Sequence, residues 1–321
     1  MFDIISVGDI TLDVFLQLEE AKVQCTLNKR ECELCINYAD KLPVRTITEI
    51  PAVGNAANNA VGSARLGLKT AIYCIVGNDA SGKSNREVLK QEKVALDYVV
   101  TDTARSNYSV VLMYQGERTI LVYHEPRQYR LPKTKPTKWL YFTSISAGRN
   151  GLQGQILTRV KKEKIRLGFN PGTHQLKQGL KALRPIIAAS ELLIVNWQEA
   201  ERLVGKQTGI KPLLGALKAL GPSIVVITDG EKGAYAFDST AHYSQATFPC
   251  TVVERTGAGD AFATGCIAAL VQGKNLPEAL RWGTANAYSV IQYIGARQGL
   301  LNQARMKKVL QKFKNVQPKR I

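Results

Sequence analysis

Hydrophobic runs and polar breaks alternate along the chain in two successive rhythms. Asp3 to Val7 reads as a buried strand ending at Gly8-Asp9. Thr11 to Leu18 continues as a strand of mixed polarity, expected to be less buried. Residues 20–50 are polar, contain Pro43 and alternate Val44/Thr46/Thr48/Ile50, which predicts extra strands or an irregular lobe outside the main core. Ala56 to Leu66 is Ala-rich and closes on Gly67, as a helix does. Lys69 to Val76 is a buried strand, and Ser81 to Glu92 an amphipathic helix. Tyr108–Tyr114 and Arg118–His124 flank Gln115-Gly116-Glu117 and predict a hairpin in a half-buried sheet.

After the basic, Pro-rich connector 130–137 the second rhythm begins. Strands at 139–143, 165–169, 192–195 and 223–228 alternate with helices at 153–162, 175–183, 198–204 and 213–220. That alternation predicts an α/β fold with a doubly wound, mostly parallel central sheet flanked by helices. Short strands at 234–237 and 247–253 precede three helices, 258–272, 277–292 and 303–314. No repeat or low-complexity linker divides the chain, so residues 1–321 are expected to form one domain.

Charge adds a question. The net charge is +17, which suits either a nucleic-acid surface or a protein that handles phosphate anions. No helix-turn-helix, zinc-finger or aromatic RNA-binding signature accompanies it, so nucleic acid is not the expected partner. The apolar runs are too short to span a bilayer, and the N-terminus shows neither a basic n-region nor a cleavage site. A cytoplasmic protein is expected. Cys74, Cys250 and Cys266 lie in apolar segments. Cys25, Cys32 and Cys35 form C-x6-C-x2-C, for which reduced surface thiols or three zinc ligands are the open alternatives.

Two stretches compete for a phosphate. Gly77 to Ser84 matches G-x-x-x-x-G-K-S after a strand and before a helix, as a P-loop would. A P-loop enzyme also needs an acidic residue at a neighbouring strand end, yet strand 192–195 ends on Asn196. The second stretch, Glu254 to Gly265, opens a helix with Thr256-Gly257-Ala258-Gly259-Asp260. Small residues bring backbone N–H groups close to an anion, and a carboxylate there can take a proton. Three further segments agree with it. Val53-Gly54-Asn55-Ala56-Ala57-Asn58 enters a helix, Asn196-Trp197-Gln198-Glu199 starts another, and Thr228-Asp229-Gly230-Glu231-Lys232-Gly233 turns between strands.

Together these residues resemble the ribokinase-like (PfkB) carbohydrate and nucleoside kinases, from Gly8-Asp9 to Gly295-Ala296. In that family Val76-Gly77-Asn78-Asp79-Ala80-Ser81-Gly82 is a common turn and not the ATP site. The resemblance implies ATP as donor, Mg²⁺, a sugar or nucleoside acceptor, and a small β lid from about 13–50 and 107–125. A homodimer through the lid is also expected. It makes Asp260 the catalytic base and Gly257, Ala258 and Gly259 the anion hole. Asn196 and Glu199 would order Mg²⁺, Glu199 through water. Thr228, Gly230 and Gly233 would line the nucleotide, with Asn286 at the adenine edge. Asp13, Gly54, Asn55 and Asn58 would bind acceptor hydroxyls. Lid residues Tyr108, Tyr114 and Tyr123 offer a stack for a nucleoside base.

Three departures from the family stand out. Val53-Gly54 replaces a usual Gly-Gly pair, which adds bulk expected beside the acceptor. Glu254-Arg255-Thr256 replaces Asp-Thr-Thr or similar, in a region that helps bind a monovalent cation in some members. Arg255 there could hold an ATP phosphate or a phosphorylated acceptor. Residues 20–50 are longer and richer in cysteine than a minimal lid.

Overall fold

The structure is a computed structural model that describes residues 1–25, 32–146 and 151–321. Positions 26–31 of the cysteine-rich stretch lie outside the described residues. In chain order the elements are β1 (Phe2–Val7), β2 (Thr11–Leu18), β3 (Lys22–Cys25), β4 (Cys32–Cys35), β5 (Val44–Val53), α1 (Asn55–Arg65), β6 (Thr70–Gly77), α2 (Ala80–Gln91) and β7 (Ala95–Asp102). Next come β8 (Asn107–Tyr114), β9 (Glu117–Tyr123), β10 (Thr137–Phe142), α3 (Leu152–Glu163), β11 (Arg166–Phe169), α4 (Thr173–Lys177), α5 (Leu180–Ala188), β12 (Leu192–Asn196) and α6 (Trp197–Val204). The last are α7 (Ile210–Lys218), β13 (Ile224–Thr228), β14 (Ala234–Phe237), β15 (His242–Gln245), α8 (Ala258–Val271), α9 (Leu276–Val290), α10 (Gln303–Lys312) and β16 (Lys319–Arg320).

The central sheet has the order β16-β15-β14-β13-β12-β11-β10-β1-β6-β7. Pairing is parallel from β13 through to β7 and antiparallel at the β14–β16 edge. Successive residues of β1 serve opposite faces. Ile5 and Val7 pack with Leu152, Ile186 and Leu213 of α3, α5 and α7, whereas Ile4 packs with the α8–α9 side. Each fully buried Leu or Ile stabilises by roughly 1.5–3 kcal/mol. Helix α8 is buried on every side from Ala261 to Leu270. It lies close against α9 because a Cβ at Gly265 would stand 2.4 Å from the Trp282 carbonyl oxygen.

Strand order reverses at β1/β10 while the strands stay parallel: β6 and β7 are added on one side and β11, β12 and β13 on the other. In open parallel sheets such a switch point opens a crevice at the strands' carboxyl ends. There Gly8-Asp9, Thr143-Ser144, Asn170, Asn196 and Thr228 come together. A second sheet, β5-β2-β8-β9, stands over that edge in the place of a lid. Its strand β2, expected to be less buried, is largely buried, since it is an interior strand of this sheet.

Other expectations are corrected. Residues 247–253 form no strand, and the partner of β14 is β15 instead. The helix expected at 175–183 is two helices, α4 and α5, broken at Gly179 with φ +81°. Strand β7 escaped the pattern because only Tyr98 of its eight residues is buried. Cys25 and Cys32 face each other across the β3–β4 hairpin and form a disulfide, so they are neither reduced thiols nor zinc ligands. Val53 is buried, pairs with Thr11 and does not line the cavity described below, where bulk was expected from it. Among the described residues no helix is long and apolar enough to cross a membrane.

Candidate active site

Two helix N-termini meet at the crevice. Gly54 precedes α1 at φ +95°, a backbone region that favours glycine. Gly257 precedes α8 at φ +77°, and a Cβ there would stand 2.2 Å from the Ala296 Cβ. The first-turn amides of a helix lack partners within it and attract anions. Of the expected anion-hole residues, Ala258 donates its N–H to the Arg255 carbonyl at 3.2 Å. Gly257 and Gly259 carry the other two N–H groups of the expected anion hole.

Asp260 lies in the first turn of α8, where Asn58 Nδ2 donates to its Oδ2 at 2.8 Å. Burial pushes the Asp260 carboxyl up to about 6, opposed by that hydrogen bond and reinforced by the charges of Glu199 and Asp13. Burial likewise raises Asp13 to about 6, against hydrogen bonds from Ser109 and Thr11.

A cavity of about 200 Å³ lies between Asp260 and the lid. Asp9, Asp13, Gly54, Asn55, Asn58, Thr256 and Asp260 line its base, and Ser109, Ile120, Val122 and His124 its lid side. Three buried polar atoms here have no protein partner: Asp13 Oδ1, Asn58 Oδ1 and Thr256 Oγ1. The expected aromatic stack is absent. Strand alternation turns Ser109 and Val122 inward, so Tyr108 and Tyr123 line a separate cavity with Arg105, and Tyr114 lies at the far end of β8.

A second cavity shares Asn55, Ser144 and Asp260 with the first and runs to Asn170, Asn196, Glu199, Thr228 and Gly259. Asn196 and Glu199 form a capping box on α6: Glu199 N donates to Asn196 Oδ1 at 2.9 Å, and Asn196 N to Glu199 Oε2 at 2.8 Å. Burial raises the Glu199 carboxyl, opposed by the Asn196 backbone and by Arg202. Gly230 and Gly233 lie in the tight turn that follows β13, beyond Thr228, outside this lining.

The expected adenine contact at Asn286 is corrected. Its side chain is fully buried, donates to the Ala261 carbonyl at 2.8 Å and accepts from Leu301 N at 3.0 Å. It ties α9 to α8 and lines neither of these two cavities. Arg255 faces outward and pairs with Glu231 at 2.7 Å. Two amides of the Gly77–Ser84 turn are already bonded to protein side chains: Asp79 Oδ1 accepts from Gly82 N at 2.7 Å and Ser106 Oγ, just before β8, from Gly77 N at 2.9 Å.

Sequence reading missed Asp9, Ser109, His124, Ser144 and Asn170. Asp9 is buried, accepts from Tyr129 Oη at 2.6 Å and Ser146 N at 2.7 Å, and lies 3.8 Å from His124 Nδ1. Asn170 directly follows β11, so the rule that ligands sit at strand carboxyl ends pointed to it.

The family model for pfkB family carbohydrate kinases matches residues 20–303. An ATP-dependent 6-phosphofructokinase of Thermoanaerobacterium thermosaccharolyticum is 27% identical over 260 residues, 76% of this chain and 80% of that protein. An Arabidopsis thaliana ribokinase, solved with ribose and ATP, superposes with TM-score 0.77 at 22% identity, covering 96% of this chain and 98% of its own. The Methanocaldococcus jannaschii nucleoside kinase gives 0.77 at 20%, covering 97% and 98%. The fold is therefore ribokinase-like, and the chain belongs to the PfkB family of ATP-dependent carbohydrate kinases.

Proposed function

We propose that this chain transfers the γ-phosphoryl group of ATP to a hydroxyl of an unphosphorylated sugar or sugar-like polyol. The observation that carries the reading is the trio of unpartnered buried atoms, Asp13 Oδ1, Asn58 Oδ1 and Thr256 Oγ1, in one cavity wall. A buried polar atom without a partner costs about 1–3 kcal/mol. Neighbouring hydroxyls of a polyol would satisfy all three. The wall carries Asp9, Asp13 and Asp260 and, among the described residues, no lysine or arginine. A phosphosugar would meet carboxylates there, and a nucleoside base would find, among the described lining residues, no phenylalanine, tyrosine or tryptophan and only the His124 imidazole, which disfavours both alternatives.

In this reading the acceptor hydroxyl sits against Asp260. As the new O–P bond forms and the bond to ADP breaks, the hydroxyl proton passes to the Asp260 carboxylate. The Gly257 and Gly259 amides at the α8 N-terminus stabilise charge on the transferring group. Little covalent chemistry is asked of the protein, so positioning and electrostatics dominate. The nucleotide would lie along Asn196, Thr228, Gly230 and Gly233. For Mg²⁺ the Glu199 carboxylate, raised by burial and lining the second cavity, is a fitting hard-oxygen partner through water. Bound there, the ion would neutralise phosphate charge.

The test is acceptor-dependent ATP consumption across sugars, sugar phosphates and nucleosides. Turnover with free sugars or polyols is expected. Preference for a phosphorylated sugar or a nucleoside would overturn the acceptor assignment, and silence across the panel the enzymatic one.

A further inference from the structure

The carboxylate that replaces the family's aspartate before the anion hole is Glu254, and it is almost fully buried at 6% exposure. Its Oε1 accepts from Thr256 N at 2.6 Å, and its Oε2 from Gly295 N at 3.3 Å. One side chain thus joins the anion-hole loop to the loop after α9. A buried carboxylate needs a compensating charge. The neighbouring Arg255 does not supply it, being half exposed and paired with Glu231. The charge comes from the lid: Arg118, the second residue of β9, places its Nε 3.1 Å from Glu254 Oε1. The lid presses the same loop a second time, since a Cβ at Gly295 would lie 2.3 Å from Ile50 Cδ1 of β5.

The residues around Glu254 therefore do not fit a free monovalent cation. Both carboxylate oxygens are engaged, and a guanidinium occupies the place of the counter-charge. We propose that Arg118 is the resident cation of the anion-hole loop: it positions that loop through Glu254 only when the lid covers the site, and turnover needs no monovalent cation. Arg118 is a positioning residue, since it touches Glu254 and not the reacting atoms. The consequence extends to the acceptor side. The Glu254 charge acts on Asp13, so the same guanidinium shields the acceptor carboxylate from its neighbour.

The proposal rests on the kinase reading, and its test has an arm independent of turnover. Acceptor phosphorylation is measured at constant ionic strength in potassium, sodium and tetramethylammonium salts, alongside amide hydrogen exchange over residues 254–258 and 293–297. The wild type is expected to turn over equally in all three salts. Arg118→Gln should lose about tenfold or more in kcat with the KM for ATP unchanged, recover part of the loss in potassium, and exchange faster at both loops. Arg118→Lys should retain most activity and protection. A wild type that depends on potassium overturns the proposal, as does an Arg118→Gln variant matching wild type in turnover and exchange. If the wild type phosphorylates no acceptor, the kinase reading fails, and exchange at the two loops decides the clasp by itself.

Discussion

Asn58 and Asp260 are 202 positions apart in the chain, yet Asn58 Nδ2 donates to Asp260 Oδ2 at 2.8 Å. The bond joins the first turn of α1 to the first turn of α8, the two helix starts that frame the crevice. It fixes one carboxylate oxygen and stabilises the ionised form, which burial opposes. Asp260 itself lines both cavities.

A pH profile follows from that balance. In the proposed mechanism Asp260 must be ionised to act as base, and burial pushes its carboxyl up to about 6, so kcat at saturating acceptor should fall as pH drops through about 6 and level off above it. Asn58→Ala removes the donor that favours the carboxylate and should move this limb to higher pH. Asp13→Asn removes a neighbouring negative charge and should move it slightly lower while raising the acceptor KM. Steady-state kinetics from pH 5 to 8 measure all three; a limb unmoved by Asn58→Ala would break the link between the bond and the base.

Asp260→Asn should separate activity from stability. Turnover is expected to fall by roughly 10²–10⁴-fold, with ATP affinity nearly unchanged by calorimetry. The folded-state carboxyl, about 6, lies above its ordinary value of 3.8. The folded protein therefore holds this proton more tightly, and the wild type loses stability as pH rises from about 4 to 6. The asparagine variant escapes that cost. It should unfold at higher denaturant concentration than wild type at pH 8, by up to about 2–3 kcal/mol, with the gap closing towards pH 4.

Much of this site was legible because its residues sit where backbone chemistry demands them. Gly257 needs a positive φ before α8, and Asn196 and Glu199 sit at the spacing of a capping box. Both patterns are local. The acceptor wall was less legible because it is assembled from strand ends and lid strands far apart in sequence. Nothing near Ser109 or His124 marks which face of the lid turns inward. Asn286 shows the opposite failure: the family resemblance implied an adenine contact there, whereas burial made it a hydrogen-bonded tie between α8 and α9. The pairing of Cys25 with Cys32 depended on the β3–β4 register, which a spacing of cysteines does not specify.

Glu199→Gln tests whether this carboxylate does more than cap a helix. Glutamine preserves the capping box at the third helical position, so thermal stability should hold within about 0.5 kcal/mol. Losing the charge should still raise the Mg²⁺ concentration for half-maximal turnover several-fold. A Mg²⁺ titration of the purified variant measures this, and an unchanged midpoint would reduce Glu199 to its role at the helix start.

Lys83 and Gly82 separate the P-loop-like sequence from a P-loop function. The amide of Gly82 is already taken by Asp79, which also accepts from Ser106 N at 2.8 Å and Ser106 Oγ at 2.7 Å. Lys83 is exposed on α2, so Lys83→Ala should leave kcat and both KM values unchanged. Gly82→Ala is different in kind: its Cβ would stand 2.0 Å from the Gly77 carbonyl oxygen. Backbone must move there, at a cost of about 1–3 kcal/mol, so a lower melting temperature is expected, with activity per folded molecule retained. Loss of ATP turnover in Lys83→Ala at full stability would instead return the phosphate site to this turn.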